Sequence, residues 1–240
     1  MNLSIGLEDF VNGPRFVGLF LNFLSDDELV PATGKMLWTA VNSTAPTTCN
    51  DAAGGTITMT SGATEYDGMQ FQLGGAGANE WMRIRQRTEY WFTSSFEADD
   101  ATQIDLFLGA AIADTTILAT ATAHAITVTD GVGLLKLDGS TAWSLVVLRD
   151  SAGNTITMPF VLDTARHTYS ICIKPDGTDG LTGTIDVYYD GKLAYHAKNT
   201  EVTALPYDEE IAPSFAMRCG SAVARIVVMD WFGAGYRRVA

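Results

Sequence analysis

Cysteine is scarce in this sequence. Cys49, Cys172 and Cys219 are three in 240 residues and lie far apart, so neither a disulfide framework nor a zinc-ligand spacing can be drawn from them. At most one bridge can form. Cys172 stands between Ile171 and Ile173, the setting of a small buried apolar residue, and three free thiols in a reducing compartment are expected. Histidine is as rare, and His124, His167 and His196 are not at metal-ligand spacing, which argues against a metallohydrolase. No phosphate-binding loop of the G-x-x-x-x-G-K-[ST] type and no G-x-S-x-G nucleophile elbow occurs. The glycine-rich stretch 74–79 leads into another strand rather than a helix, so it reads as a flexible connection without a helix N-terminal anion site.

The longest apolar run, residues 16–24, is interrupted by Gly18 and Asn22 and is too short to cross a bilayer as a helix. Glu8 and Asp9 occupy the place where a secretory leader has its basic region. No membrane partner is expected, and the chain reads as soluble and intracellular when made. Cations are also in deficit: 15 Lys and Arg against 28 Asp and Glu give a net charge of −13, which opposes nucleic-acid binding through released counterions.

What is present is the composition of an all-β protein. Apolar residues make up 47% and charged ones 18%, and Thr, Val, Ile and aromatic residues fill the intervals between turn signals with no long helical period. Strands are expected near 37–41, 55–60, 69–73, 80–98, 103–110, 125–129, 133–138, 143–149, 155–160, 167–174, 182–189, 193–198, 213–219 and 224–231. Asp190-Gly191 marks a tight hairpin, because Gly accepts the positive φ of a primed turn. Looser loops are expected at 150–154 and 176–180, and with 138–141 these turns suggest a meander.

Met69, Phe71 and Leu73 share one face while Gln70 and Gln72 take the other, and Ile185, Val187 and Tyr189 alternate in the same way. Strands that cover a core on one side only call for two antiparallel sheets packed face to face. Residues 35–240 are expected to form this sandwich. Residues 1–34 mix the greasy run with Asp26, Asp27, Glu28, Pro31 and Gly34, and are expected to form an N-terminal arm.

Two stretches stand out as contact surfaces. Phe16, Val17, Leu19, Phe20, Leu21, Phe23 and Leu24 are too many large apolar side chains to sit exposed on a monomer, so either the chain's own body or a neighbouring subunit covers them. Between residues 80 and 92, Arg83, Arg85 and Arg87 alternate with Met82, Ile84 and Gln86, making a cationic row on an acidic protein. Such a row reads as an outer sheet face paired with acids on neighbouring strands, or as a docking surface for an acidic protein.

Catalytic candidates are poor. Glu65 with Asp67, and Asp186 with Asp190, are weak candidates for the carboxylate pair of glycoside hydrolysis, and Asp176 with Asp179 lacks the pattern of a calcium loop. Trp38, Trp143, Tyr188, Tyr189, Tyr195 and Trp231 are possible sugar-stacking residues, although most fall at positions where core packing is the default.

Residues 167–171 followed by 184–191 resemble the paired strands and hairpin of concanavalin A-like and laminin G-like jelly rolls. Trp38 with 51–60, 131–143 and the closing 224–231 resemble, more narrowly, jelly-roll structural proteins of tailed bacteriophages that decorate or cement capsids. The calcium and sugar ligands of the lectin members have no residue-by-residue counterpart, so no metal and no cofactor is expected.

The resemblance implies an all-β, two-sheet antiparallel jelly-roll sandwich without enzymatic activity. It implies a virion structural protein on the outer capsid surface, assembled in the host cytoplasm, bound across subunits of the major capsid protein as a homo-oligomer, most simply a trimer. The competing expectation is a lectin-like carbohydrate-binding module of a phage tail or receptor-binding protein. A glycosidase ranks third.

Overall fold

The computed structural model describes residues 16–22, 36–41, 56–73, 82–119, 124–176 and 182–239. In chain order the strands are β1 (Phe16–Asn22), β2 (Met36–Val41), β3 (Ile57–Thr60), β4 (Gly68–Leu73), β5 (Met82–Arg83), β6 (Thr88–Ala98), β7 (Ile104–Ala111) and β8 (Gly131–Lys136). They continue as β9 (Ala142–Arg149), β10 (Ala152–Val161), β11 (His167–Asp176), β12 (Thr182–Tyr189), β13 (Lys192–Ala197), β14 (Glu210–Cys219) and β15 (Ile226–Arg238).

The strands form two antiparallel sheets. One runs β1-β15-β6-β11-β12-β13, with β3 also on β15; the other runs β10-β9-β8-β7-β14-β4-β2, with β5 on the first two residues of β14. Alternation along the strands places Phe71, Leu106, Leu108, Leu134, Leu145 and Phe215 of one sheet against Phe92, Phe96, Tyr169, Ile171, Val187 and Phe232 of the other, all essentially buried. Each such large apolar side chain removed from water contributes roughly 1.5–3 kcal/mol, which is the main force holding the sheets face to face. The sandwich expected from the alternation is the observed architecture.

The turns build two meanders rather than one. β8, β9 and β10 are consecutive in one sheet and β11, β12 and β13 in the other, so the chain changes sheet between residues 161 and 167. Asp190 and Gly191 both have positive φ (49° and 72°), as the two-residue hairpin between β12 and β13 requires. The loop expected at 150–154 is shorter than that. Asp150 and Ser151 alone make the turn, at φ 52° and 64°, and Ala152 already pairs with Arg149.

Two further expectations are corrected. Residues 125–129 form no strand, only an isolated bridge between Leu118 and Ile126. The connection from β7 to β8 instead folds back over the outer face of its sheet, where Ile117, Leu118 and Val128 bury a second apolar cluster with Phe107, Leu135, Val146 and Ala216. The polar side of β4 is what holds this flap. Gln70 donates to the Asp114 carbonyl at 2.6 Å and accepts from the Ile117 N–H at 2.9 Å, while Gln72 accepts from the Asp114 N–H at 3.0 Å.

The single strand expected over 80–98 is divided. β5 belongs to one sheet and β6 to the other, joined by a turn in which Arg87 has φ 53°. The greasy run also finds a place in the body. β1 pairs along its whole length with β15, Val17 opposite Tyr236, Leu19 opposite Ala234 and Leu21 opposite Phe232, so residues 16–22 of the expected arm are a strand of the sheet. Phe23 and Leu24, with the rest of 1–34, lie outside the described residues.

Candidate functional site

The turn between β5 and β6 is where the chain leaves one sheet for the other, and it opens a cleft. Met82 and Ile84 point inward and are buried, which turns Arg83 and Arg85 out to solvent. The buried Tyr90 sets the spacing of these two arginines: its hydroxyl donates to the Arg83 carbonyl at 2.7 Å and accepts from the Arg85 N–H at 2.8 Å. Burial pushes the Tyr90 phenol up, partly offset by the Arg85 N–H, so the hydroxyl keeps its proton for this role.

The left-handed Arg87 aims its carbonyl at the Val239 N–H, 2.7 Å away, and fastens the end of β15 beside the turn. The cleft so formed holds about 280 Å³ and is lined by Met82, Arg83, Arg85, Thr88, Tyr90, Glu210, Tyr236 and Arg238.

Three guanidinium groups meet one carboxylate in this lining. Arg83 is held by neutral acceptors, its Nε–H on the Tyr207 carbonyl at 3.0 Å and its Nη2 on the Asp208 carbonyl at 2.5 Å, which fixes the group without cancelling its charge. Arg85 and Arg238 have no side-chain partner among the described residues. The adjacent Arg237 differs in kind: Glu89 takes its Nε and Nη2, each at 2.8 Å, and its guanidinium lies over the Trp91 ring at 5.2 Å. One end of β15 thus carries a neutralised arginine and an unneutralised one side by side.

The structure brings together two of the three arginines singled out in the sequence. Arg83 and Arg85 line the cleft. Arg87 is exposed and is not part of the lining. Arg238, Glu210 and Tyr236 were missed, because they arrive from strands more than a hundred residues away. The outer-face expectation for the row is corrected accordingly: only Arg83 lies in a strand, and its cross-strand neighbour Glu210 forms no ion pair with it.

The other candidates resolve into scaffold. Asp67 accepts the Thr64 N–H at 3.1 Å, and Asp186 is gripped by Lys174 and His196, each at 2.6 Å. Asp190 accepts from the Thr168 N–H at 2.9 Å and binds His167 Nδ1 at 2.7 Å. Each histidine has an aspartate on Nδ1, His124 taking Asp105 at 2.7 Å. Among the described residues no group of three or more His, Cys, Asp or Glu is placed to hold a metal ion.

Trp143 is fully buried and so is out of the open surface, while Tyr189, stacked on Phe160 at 5.0 Å, and Tyr195, which donates to Glu201 at 2.8 Å, are half-buried. Cys172 and Cys219 are free and buried, burial pushing the Cys172 thiol up to about 12; Cys49, Asp179 and the 74–79 loop lie outside the described residues.

Neither a family model nor a curated protein matches the sequence. Solved structures do match the fold. A protein of unknown function from Shewanella oneidensis MR-1 is 13% identical, with a TM-score of 0.61 over 93% of this chain and 87% of that one. Peanut lectin, solved with a nine-residue peptide, is 15% identical with a TM-score of 0.56 over 94% and 99%, and the metal-free carbohydrate recognition domain of Emp46p is 9% identical with a TM-score of 0.54 over 92% and 95%. The fold is therefore that of the concanavalin A-like, legume-lectin-like jelly rolls.

Proposed function

We propose that the protein is a carbohydrate-binding module that holds a saccharide in the cleft between β5, β14 and β15 without transforming it. The observation that carries this reading is the composition of the cleft: three guanidinium groups, one of them held fast by two carbonyls, with a carboxylate acceptor, a threonine and two tyrosines around a space of about 280 Å³. Sugars are bound by such convergent polar groups with a ring surface beside them. Turnover is not part of the proposal, since Asp67, Asp186 and Asp190 are engaged in bonds that hold the fold. A likeness of fold to lectins supports the reading only as analogy.

The test is a glycan array probed with the whole chain, followed by titration of each hit. Saturable binding that Arg85→Gln with Arg238→Gln abolishes is the expected result. An array without a hit, over neutral and acidic glycans alike, overturns the proposal.

A second reading is favoured by one observation, the exposure of Arg83, Arg85 and Arg87 within five residues of a chain whose net charge is −13. An acidic protein surface would pair with them, and the protein would then sit as a homo-oligomer on the major capsid protein at the outer surface of a virion. Cosedimentation with purified capsids, sensitive to the same arginine variants and indifferent to sugars, is the result that would favour it over the first.

A further inference from the structure

Resting on the saccharide reading, we infer that the cleft selects acidic sugars, those bearing a carboxylate or a sulfate ester, and discriminates against their neutral counterparts. The cleft lining carries three arginines and one glutamate, whereas the whole chain is acidic by thirteen charges, so this is a local excess of positive charge on an acidic chain.

The arginines are also arranged for an outside partner. Arg83 is immobilised by two backbone carbonyls, which cost it no charge and engage its Nε and Nη2 but not its Nη1. Arg85 and Arg238 approach from different segments, one set by the Tyr90 hydroxyl and the other by the end of β15, and neither has an acid of its own. Glu89, the acid nearest to Arg85 in sequence, is committed to Arg237.

A carboxylate entering between these groups replaces hydration of the guanidinium ions with charge-assisted, bidentate bonds, whereas a hydroxymethyl group in its place offers them one neutral oxygen. Glu210 supplies the complementary function, an acceptor for a ring hydroxyl. The volume, about 280 Å³, lies near the lower end of the range of about 300–1,000 Å³ typical of small-molecule sites.

The experiment is an NMR titration of the full chain with D-glucose, D-glucuronate, D-glucose 6-sulfate and inorganic sulfate, each at low and at high salt. Glucuronate or the 6-sulfate is expected to bind about 10-fold or more tighter than glucose, and to weaken on raising the ionic strength, as partly exposed ion pairs do. Which of the two anions is preferred identifies the acid. Arg85→Gln with Arg238→Gln removes the preference, and Arg166→Gln, whose guanidinium pairs with Glu97 elsewhere at 3.3 Å, leaves it intact.

Glu210→Gln moves the preference the other way, raising affinity for the acidic sugar about two- to threefold and lowering that for glucose, a split that loss of folding does not produce. Glucose bound as tightly as glucuronate and the 6-sulfate overturns the inference and leaves the saccharide reading standing. Inorganic sulfate bound as tightly as the acidic sugars, or no sugar bound at all, overturns the saccharide reading and the inference with it.

Discussion

Arg83 and Glu210 stand opposite one another in the β5–β14 register, and the ion pair that this position invites is not made. Arg83 turns instead to the Tyr207 and Asp208 carbonyls. An exposed pair of this kind contributes at most about 1 kcal/mol, so two hydrogen bonds to carbonyls compete with it on equal terms. The outcome is a cleft in which a cation is held still and an anion is left unspent, each available to something that is not part of the chain.

Tyr90 holds the spacing of that cleft. Tyr90→Phe deletes both hydroxyl bonds and leaves the Arg83 carbonyl and the Arg85 N–H unpaired at a largely buried position, an expected loss of about 1–3 kcal/mol. Urea unfolding measures it. Sugar binding should weaken in parallel, because the Arg85 segment loses its tether; an unchanged midpoint would show that the hydroxyl positions nothing.

The flap over the outer face of β7 and β8 depends on Asp105, a 1% exposed carboxylate that accepts from His124 at 2.7 Å and from the Asp138 N–H at 2.6 Å and stands opposite Arg218 in register. Lys136 and Arg218 are buried nearby, and burial lowers them to about 8 and about 10. Removing the acid strands these cations. Asp105→Ala is expected to cost about 3–5 kcal/mol, and Asp105→Asn less because the amide keeps a hydrogen-bond acceptor. Thermal unfolding of the two variants side by side checks the order.

His167 makes stability depend on pH. Burial disfavours its charged ring, but the bonds to Asp190 and Asp163 outweigh that and hold its pKa above the ordinary 6.5. A raised folded value means that the contribution is complete below about 6.5 and is lost as pH climbs through the folded value, because the native state then binds more protons than the unfolded one. Denaturant midpoints should therefore fall between about pH 6 and pH 8, below the range in which Lys136 titrates, and Asp190→Asn should flatten the fall and bring the ring titration down.

The β9–β10 turn carries two non-glycine residues at positive φ. Ser151, at φ 64°, is relieved by glycine, and Ser151→Gly is expected to stabilise by up to about 1 kcal/mol after the added freedom of the unfolded chain is subtracted. Asp190-Gly191 provides the comparison, since Gly191→Ala at φ 72° should destabilise by a similar amount. Both are read from denaturant unfolding curves; a lower midpoint for Ser151→Gly would refute the strain argument.

Much of the sandwich was legible because period-two alternation is a local signal: Met69 and Phe71 face the core and Gln70 and Gln72 face away from it. What those glutamines do was not legible, since the carbonyls and N–H groups they bind belong to residues 112–117. The break within 80–98 was hidden for a different reason. No glycine or proline marks it, and Arg87 takes the left-handed turn itself. Alternation was enough to place Arg83 and Arg85 on the solvent side. The remaining lining residues, Glu210, Tyr236 and Arg238, are joined to them only by sheet pairing, although the clustered Tyr236-Arg237-Arg238 at a strand end was a signal within reach.

β15 is partnered by β6 on one flank and by β3 and β1 on the other, and the β1 pairing joins Phe16 to Arg237, more than two hundred residues apart in the chain. Closing so large a loop is costly in entropy, and topologies rich in such distant partners fold slowly. During synthesis β1, β3 and β6 emerge long before the strand that joins them, and their backbone groups stay open to other chains in the meantime. The kinetic hazard of this molecule therefore falls on the ribosome, in the interval before its final strand appears, and chaperone demand should be greatest there.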